Sequence, residues 1–235
     1  RPDAGQHCRR PAAAIIHPMK INFRSDNESP AAPQIMAALE RANQGPAGAY
    51  ATDQWSARLD DAFSELFGTA THVLPISTGT AANSIALASV TPPWGAVFAH
   101  RAAHIYNDEC GAPEFFGHGL RVVPVDSPDG RLAPEALAQA IRANEGHGVH
   151  SYLPAAVSLT QATECGTVYG PGEVAAICAV ASDHGMATHM DGARFANAVA
   201  RLGCHPGDIT WRVGMEMLSF GASKNGCMAA EALLL

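Results

Sequence analysis

The chain has 235 residues, 47% of them apolar and 16% charged, and a net charge of −7. That composition suits a soluble globular fold with ample core material, and the acidic balance argues against nucleic acid or an anionic membrane surface as a partner. No apolar run approaches the roughly 18 residues that a bilayer span requires.

In chain order, RPDAGQHCRRPAAAIIHP (residues 1–18) carries three arginines against one aspartate, and its apolar patch is too short for a signal-peptide core. It reads as a tail outside the fold, with one domain running over 19–235. APQIMAALERANQG predicts a short helix stopped at Gly45, and DQWSARLDDAFSELFG a longer one closed by Gly68. HVLPI is a strand candidate, and STGTAANSIALASV after it reads as helix, so Ser77–Thr80 is a strand-to-helix turn. AVFAH and RVVPV are further strands, PEALAQAIRANEGHG a helix with Pro134 in its first turn, AAVSLTQ a strand and GEVAAICAVASDHG a helix. MATHMDGARF is a strand running into a loop. The apolar run GMEMLSF leads into SFGASKNG, and EALLL breaks off inside a strand, as if truncated. Strand and helix alternate with no fixed repeat. This predicts an α/β three-layer sandwich on a mostly parallel sheet, with ligands at the carboxyl ends of the strands.

The cysteines (8, 110, 165, 178, 204 and 227) form no CxxC pair and read as reduced thiols of a cytoplasmic protein. His100 and His104 have i,i+4 spacing but enclose no acidic base, so no metal site is expected.

Four places after strands carry candidate chemistry, each with a plain structural alternative. In STGTAAN, a glycine between hydroxyl residues at a helix start forms an anion cup, or simply a helix cap. It lacks both the Walker lysine and the GxGxxG fingerprint. His104, followed by Asp108 and Glu109, is an imidazole that either stacks on a ring or holds a loop. In HMDGARF, Asp191 suits a protonated ring nitrogen and Arg194 a carboxylate, with Gly192 turning the chain between them. An Asp–Arg salt bridge is the alternative. Lys224 is either a surface lysine or an amine nucleophile with room beside it for a ring. Together, an anion cup, a stacking imidazole, an aspartate and a lysine are the parts that pyridoxal phosphate requires.

With NFRSDNESP, AYATDQWSA, STGTAANSIALAS, AHIYNDECGAPEFF, SLTQATECGTVY, HMDGARFANA and SFGASKNG on view, the chain resembles the low-specificity L-threonine aldolases. These lie in the β-eliminating lyase branch of fold-type I pyridoxal phosphate enzymes. The resemblance implies an aspartate aminotransferase-like large domain without the small C-terminal domain, and a cytoplasmic homodimer or homotetramer that cleaves β-hydroxy-α-amino acids to glycine and an aldehyde. It implies that Lys224 bonds the cofactor aldehyde, and that Thr78, Gly79 and Thr80 bind its phosphate. It implies that His104 stacks on the ring and Asp191 holds the pyridine nitrogen. Arg194 would contact the substrate carboxylate and the cofactor's phenolic oxygen, with Ser25 helping to hold that carboxylate. A second family histidine, near the β-hydroxyl, best matches His150, so His104 or His150 would be the base. Competing readings are another fold-type I activity (aminotransferase, racemase or other lyase) and a fragment that holds the cofactor without turnover.

Overall fold

Continuous apolar stretches in a chain that alternates strand and helix belong to a sheet covered on both faces. The computed structural model, which describes residues 23–146 and 148–235, has this arrangement. The expected tail, residues 1–18, lies outside the described residues. Seven strands, β1 (Val73–Ile76), β2 (Gly95–His100), β3 (Arg121–Val125), β4 (Leu153–Thr160), β5 (Ala187–Gly192), β6 (Met217–Gly221) and β7 (Glu231–Leu234), form one sheet in the order β1-β7-β6-β5-β4-β2-β3. All neighbours pair in parallel except β7, which runs antiparallel to both β1 and β6.

The helices are α1 (Pro33–Ala42), α2 (Leu59–Phe67), α3 (Gly79–Val90), α4 (His104–Asn107), α5 (Ala112–Phe116), α6 (Pro134–Glu145), α7 (Pro171–Asp183) and α8 (Phe195–Leu202). Alternation along the strands sends side chains to two cores. On one face Phe98, Val157 and Met190 meet Phe67 of α2, Ile141 of α6, Ile177 of α7 and Phe195 of α8. On the other, Val97, Ala99 and Ala156 meet Leu87 of α3 and Ile105 of α4. Burying each large apolar side chain stabilises the fold by about 2 kcal/mol. The result is the three-layer sandwich expected from the alternation.

Three differences from the sequence reading have local causes. The helix expected across DQWSARLDDAFSELFG begins only at Leu59, because Asp53 accepts from the Trp55 and Ser56 amides and holds a turn there. Its closure at Gly68 is as expected, with φ at 69° in the left-handed region. His100 and His104 do not share a helix: His100 ends β2, where its Nε2 bonds the Ser127 carbonyl, and His104 opens α4. Gly192 does not turn the chain. It closes β5, and a Cβ there would meet Leu218 Cδ1 at 2.6 Å and the Ser219 carbonyl oxygen at 2.8 Å, so glycine serves the close approach of β6.

Candidate active site

Six strands run the same way and bring their carboxyl ends to one edge of the sheet, and antiparallel β7 brings its first residue to the same edge. A cavity of about 320 Å³ opens there. Ser77–Thr80 reach it from the end of β1, His104 from β2, Thr160 and Glu164 from β4, Asp191 and Arg194 from β5, Lys224 from β6 and Glu231 from the start of β7.

Thr78 caps α3: its backbone is extended, and its Oγ1 accepts from the Ala81 amide at 3.1 Å. Gly79 has nothing within 4 Å of where a Cβ would stand, so the helix opens onto free space where its first amides carry positive potential. The expected cap is present, and open space lies in front of it.

Asp191 is buried and does not pair with Arg194. Its Oδ1 accepts from the Ala193 amide at 3.0 Å and its Oδ2 from Asn83 Nδ2 at 2.9 Å. The same Asn83 nitrogen donates to Glu109 Oε1 at 2.9 Å, which also meets His104 Nδ1 at 2.9 Å. A line of bonds thus runs from Asp191 through Asn83 and Glu109 to His104. The Glu109 carboxylate bonded to His104 holds its pKa above the ordinary imidazole value, against the opposing effect of partial burial. Two strand positions before Asp191, His189 is fully buried between Ser158 Oγ and Ser219 Oγ, each at 2.9 Å. Burial pushes its pKa down to about 4, which leaves a neutral ring tying β4, β5 and β6 together behind the site.

Arg194 grips a carboxylate, that of Asp26, with Nε donating at 2.6 Å and a terminal nitrogen at 3.1 Å. Burial works to raise the Asp26 pKa, but Arg194 and the nearby Lys224 outweigh it and hold it below the ordinary value. Ser25, one residue earlier, accepts from the Asn27 amide at 3.2 Å and caps a short 3-10 turn, so Asn27 rather than Ser25 lines the cavity. Lys224 sits in a 3-10 turn after β6, which Asn225 ties back by donating to the Gly221 carbonyl at 2.8 Å. The space at Gly221 is taken by the chain itself: a Cβ there would meet Ala193 Cα at 2.5 Å.

His150 is not part of this arrangement. It is exposed in a 3-10 turn before β4, whereas the cavity takes its residues from the far end of that eight-residue strand. A strand of eight residues separates its ends by more than about 20 Å. Asn83, Glu109, Glu164 and Asp26 line or brace the site without a role assigned from sequence. Asn83 and Glu109 fall inside stretches already marked for chemistry, but their pairing depends on contacts between distant segments.

A β-eliminating lyase family profile matches residues 22–235. The chain belongs to the β-eliminating lyase family. It is 45% identical over 212 residues to a low-specificity L-threonine aldolase of a Pseudomonas species, and 44% identical to one of Pseudomonas aeruginosa. Each match covers 90% of this chain and 61% of the relative, so the chain spans about three-fifths of the length of these β-eliminating lyase relatives. Among solved structures, a Leishmania major threonine aldolase superposes with a TM-score of 0.81 at 32% identity, covering 90% of this chain and 61% of that one.

Proposed function

We propose that residues 19–235 form the large domain of a pyridoxal phosphate-dependent aldolase that cleaves L-threonine, L-allo-threonine and related β-hydroxy-α-amino acids to glycine and an aldehyde. The observation that carries this reading is the meeting of Lys224, Asp191 and the open start of α3 in one cavity. The residues fit the cofactor: an anion-binding helix start, a carboxylate locked in place by two donors, and an amine beside them. The two relatives named low-specificity L-threonine aldolase support the choice of substrate class.

Thr78, Gly79 and Thr80 bind the phosphate through the first amides of α3. Asp191, fixed in place by Asn83 and the Ala193 amide, would hold the protonated pyridine nitrogen. His104, oriented by Glu109, would lie against the ring, and Lys224 would supply the amine that holds the cofactor through its aldehyde. When bound, pyridoxal phosphate supplies an electron sink for the pair left on Cα as the Cα–Cβ bond breaks. Arg194 exchanges Asp26 for the substrate carboxylate, with Ser25 beside it. In the cell the protein is a cytoplasmic homodimer or homotetramer.

The test is spectroscopic and chemical. Purified protein with pyridoxal phosphate is expected to show a yellow absorbance band that Lys224→Ala abolishes, and to release acetaldehyde from L-threonine with no keto acid present. A colourless protein that cannot be reconstituted sinks the reading. Activity only with an added keto acid makes it an aminotransferase instead.

A further inference from the structure

Among the described residues, Glu164 is a cavity acid that the proposed reaction leaves without a task, and its surroundings are unusual. One carboxyl oxygen is fully engaged: Oε1 accepts from the His104 amide at 2.7 Å and from Thr160 Oγ1 at 3.1 Å. The other, Oε2, is buried with no partner. An oxygen in that position is satisfied by a proton or by a donor brought in from outside the protein. The loop that presents it is firmly tied. Gln161 clamps Tyr169 by donating to its carbonyl at 2.9 Å and accepting its amide at 3.0 Å, and Thr163 and Thr167 bond through their hydroxyls at 2.7 Å.

Its position points toward substrate rather than phosphate. Glu164 and Arg194 are the two residues that line both the site cavity and a neighbouring open cavity of about 870 Å³. The two cavities therefore meet at Arg194 and Glu164, and the α3 residues Thr78, Gly79 and Thr80 line only the first. The other titratable groups around it are committed. Asp191 has a donor on each oxygen, Arg194 holds Asp26, and Tyr169 accepts the Leu132 amide through its hydroxyl. Glu109 holds both His104 and Asn83 through Oε1; its Oε2 is buried without a partner as well, but Glu109 does not line the neighbouring cavity beside Arg194 as Glu164 does. Glu231 and Lys224 line the cavity from the β6–β7 side, and Arg131 lines its neighbour. His104, bonded to a carboxylate, is biased toward the imidazolium, which donates from both nitrogens.

We infer that Glu164 is the catalytic base that takes the β-hydroxyl proton of the substrate and holds it during cleavage. This rests on the aldolase reading above. The carboxylate accepts the proton, the O–H pair becomes the carbonyl π bond of the departing aldehyde, and the pair of the broken Cα–Cβ bond stays with the glycine half. A proton returned to Cα completes glycine and restores the carboxylate. Burial, the largest influence on Glu164, raises its pKa, and the nearby Asp191 adds to this. A carboxylate so placed is a stronger base than one in water.

The full chain with pyridoxal phosphate carries the test. Glu164→Gln is expected to keep the yellow band and a KM for L-threonine within about three-fold, while kcat falls about 100-fold or more and the acid limb of the kcat/KM–pH profile disappears. Glu164→Asp recovers part of kcat. Independently of turnover, infrared difference spectra of cofactor-free protein are expected to show a protonated carboxyl band persisting above the ordinary glutamate range and missing in Glu164→Gln. A Glu164→Gln enzyme with near-normal kcat and an intact acid limb overturns the assignment, as does one that loses cofactor absorbance along with activity. A Glu164 carboxyl that ionises in the ordinary range also overturns it. An unsubstituted protein that releases no aldehyde refutes the aldolase reading, and the base with it. An active protein indifferent to Glu164→Gln refutes only the base.

Discussion

At the scale of single residues, the site is organised by carboxylates that restrain one another through shared donors. Asn83 Nδ2 sits between Asp191 and Glu109, and Glu109 in turn sets the state of His104. Because the Glu109 contact raises the His104 pKa, folding favours the protonated ring. The stabilisation is therefore complete below the unfolded histidine value near 6.5 and is lost as pH rises through the higher folded value. Glu109→Gln removes the charge but keeps an acceptor. Histidine NMR titration is expected to show the His104 midpoint moving down in this variant. In urea unfolding, the stability gap between variant and parent should be widest near pH 6 and narrow at alkaline pH. An unmoved His104 midpoint would mean that Glu109 serves only as a structural acceptor.

At the scale of elements, the strand ends must approach closely enough for their loops to share a cavity, and two glycines set that distance. A Cβ at Gly221 would stand 2.5 Å from Ala193 Cα and 2.7 Å from its carbonyl oxygen, both backbone atoms that cannot swing aside. Gly221→Ala is expected to push the Lys224 turn away from the loop of Asp191 and Arg194. It should destabilise the fold by about 2 kcal/mol in denaturant titrations and weaken cofactor binding at least ten-fold in absorbance titrations. A variant with parental affinity would show that the loops are not held by this contact. The elements themselves were largely legible, because strand and helix periodicities are local properties: the seven strands fall in apolar or alternating stretches, and α3, α6 and α7 fall in the expected stretches. What is not local was hidden. Nothing in HMDGARF tells that Gly192 and Gly221 admit a neighbouring strand and loop. Nor does it tell that Arg194 reaches back to Asp26 rather than to Asp191 three residues away. His150 stands outside this cavity for the same reason, since proximity to β4 in sequence does not say which end of the strand faces it.

For the molecule as a whole, the consequence is an edge assembled from six segments and joined by single bonds such as His104–Glu164, Gln161–Asp191 and Asn225–Ala193, by the Asp191–Asn83–Glu109–His104 line and by the Arg194–Asp26 fork. Such an edge is cross-braced by whatever occupies the cavity. A ligand that binds only the folded state stabilises it by about 2.7 kcal/mol at a hundred times its dissociation constant, which for a chain of this size corresponds to a rise in Tm of roughly 5–10 °C. Pyridoxal phosphate is expected to give a shift of that size in calorimetry. Inorganic phosphate alone, engaging only the start of α3, should give a clearly smaller one. Lys224→Ala should leave the phosphate shift intact while cutting the pyridoxal phosphate shift by half or more, because it removes the bond from β6 without disturbing the helix start. Equal shifts from the two ligands in the parent would mean that the cavity reads only the anion. In that case Asp191 and Lys224, however well placed, would not act together on one ring.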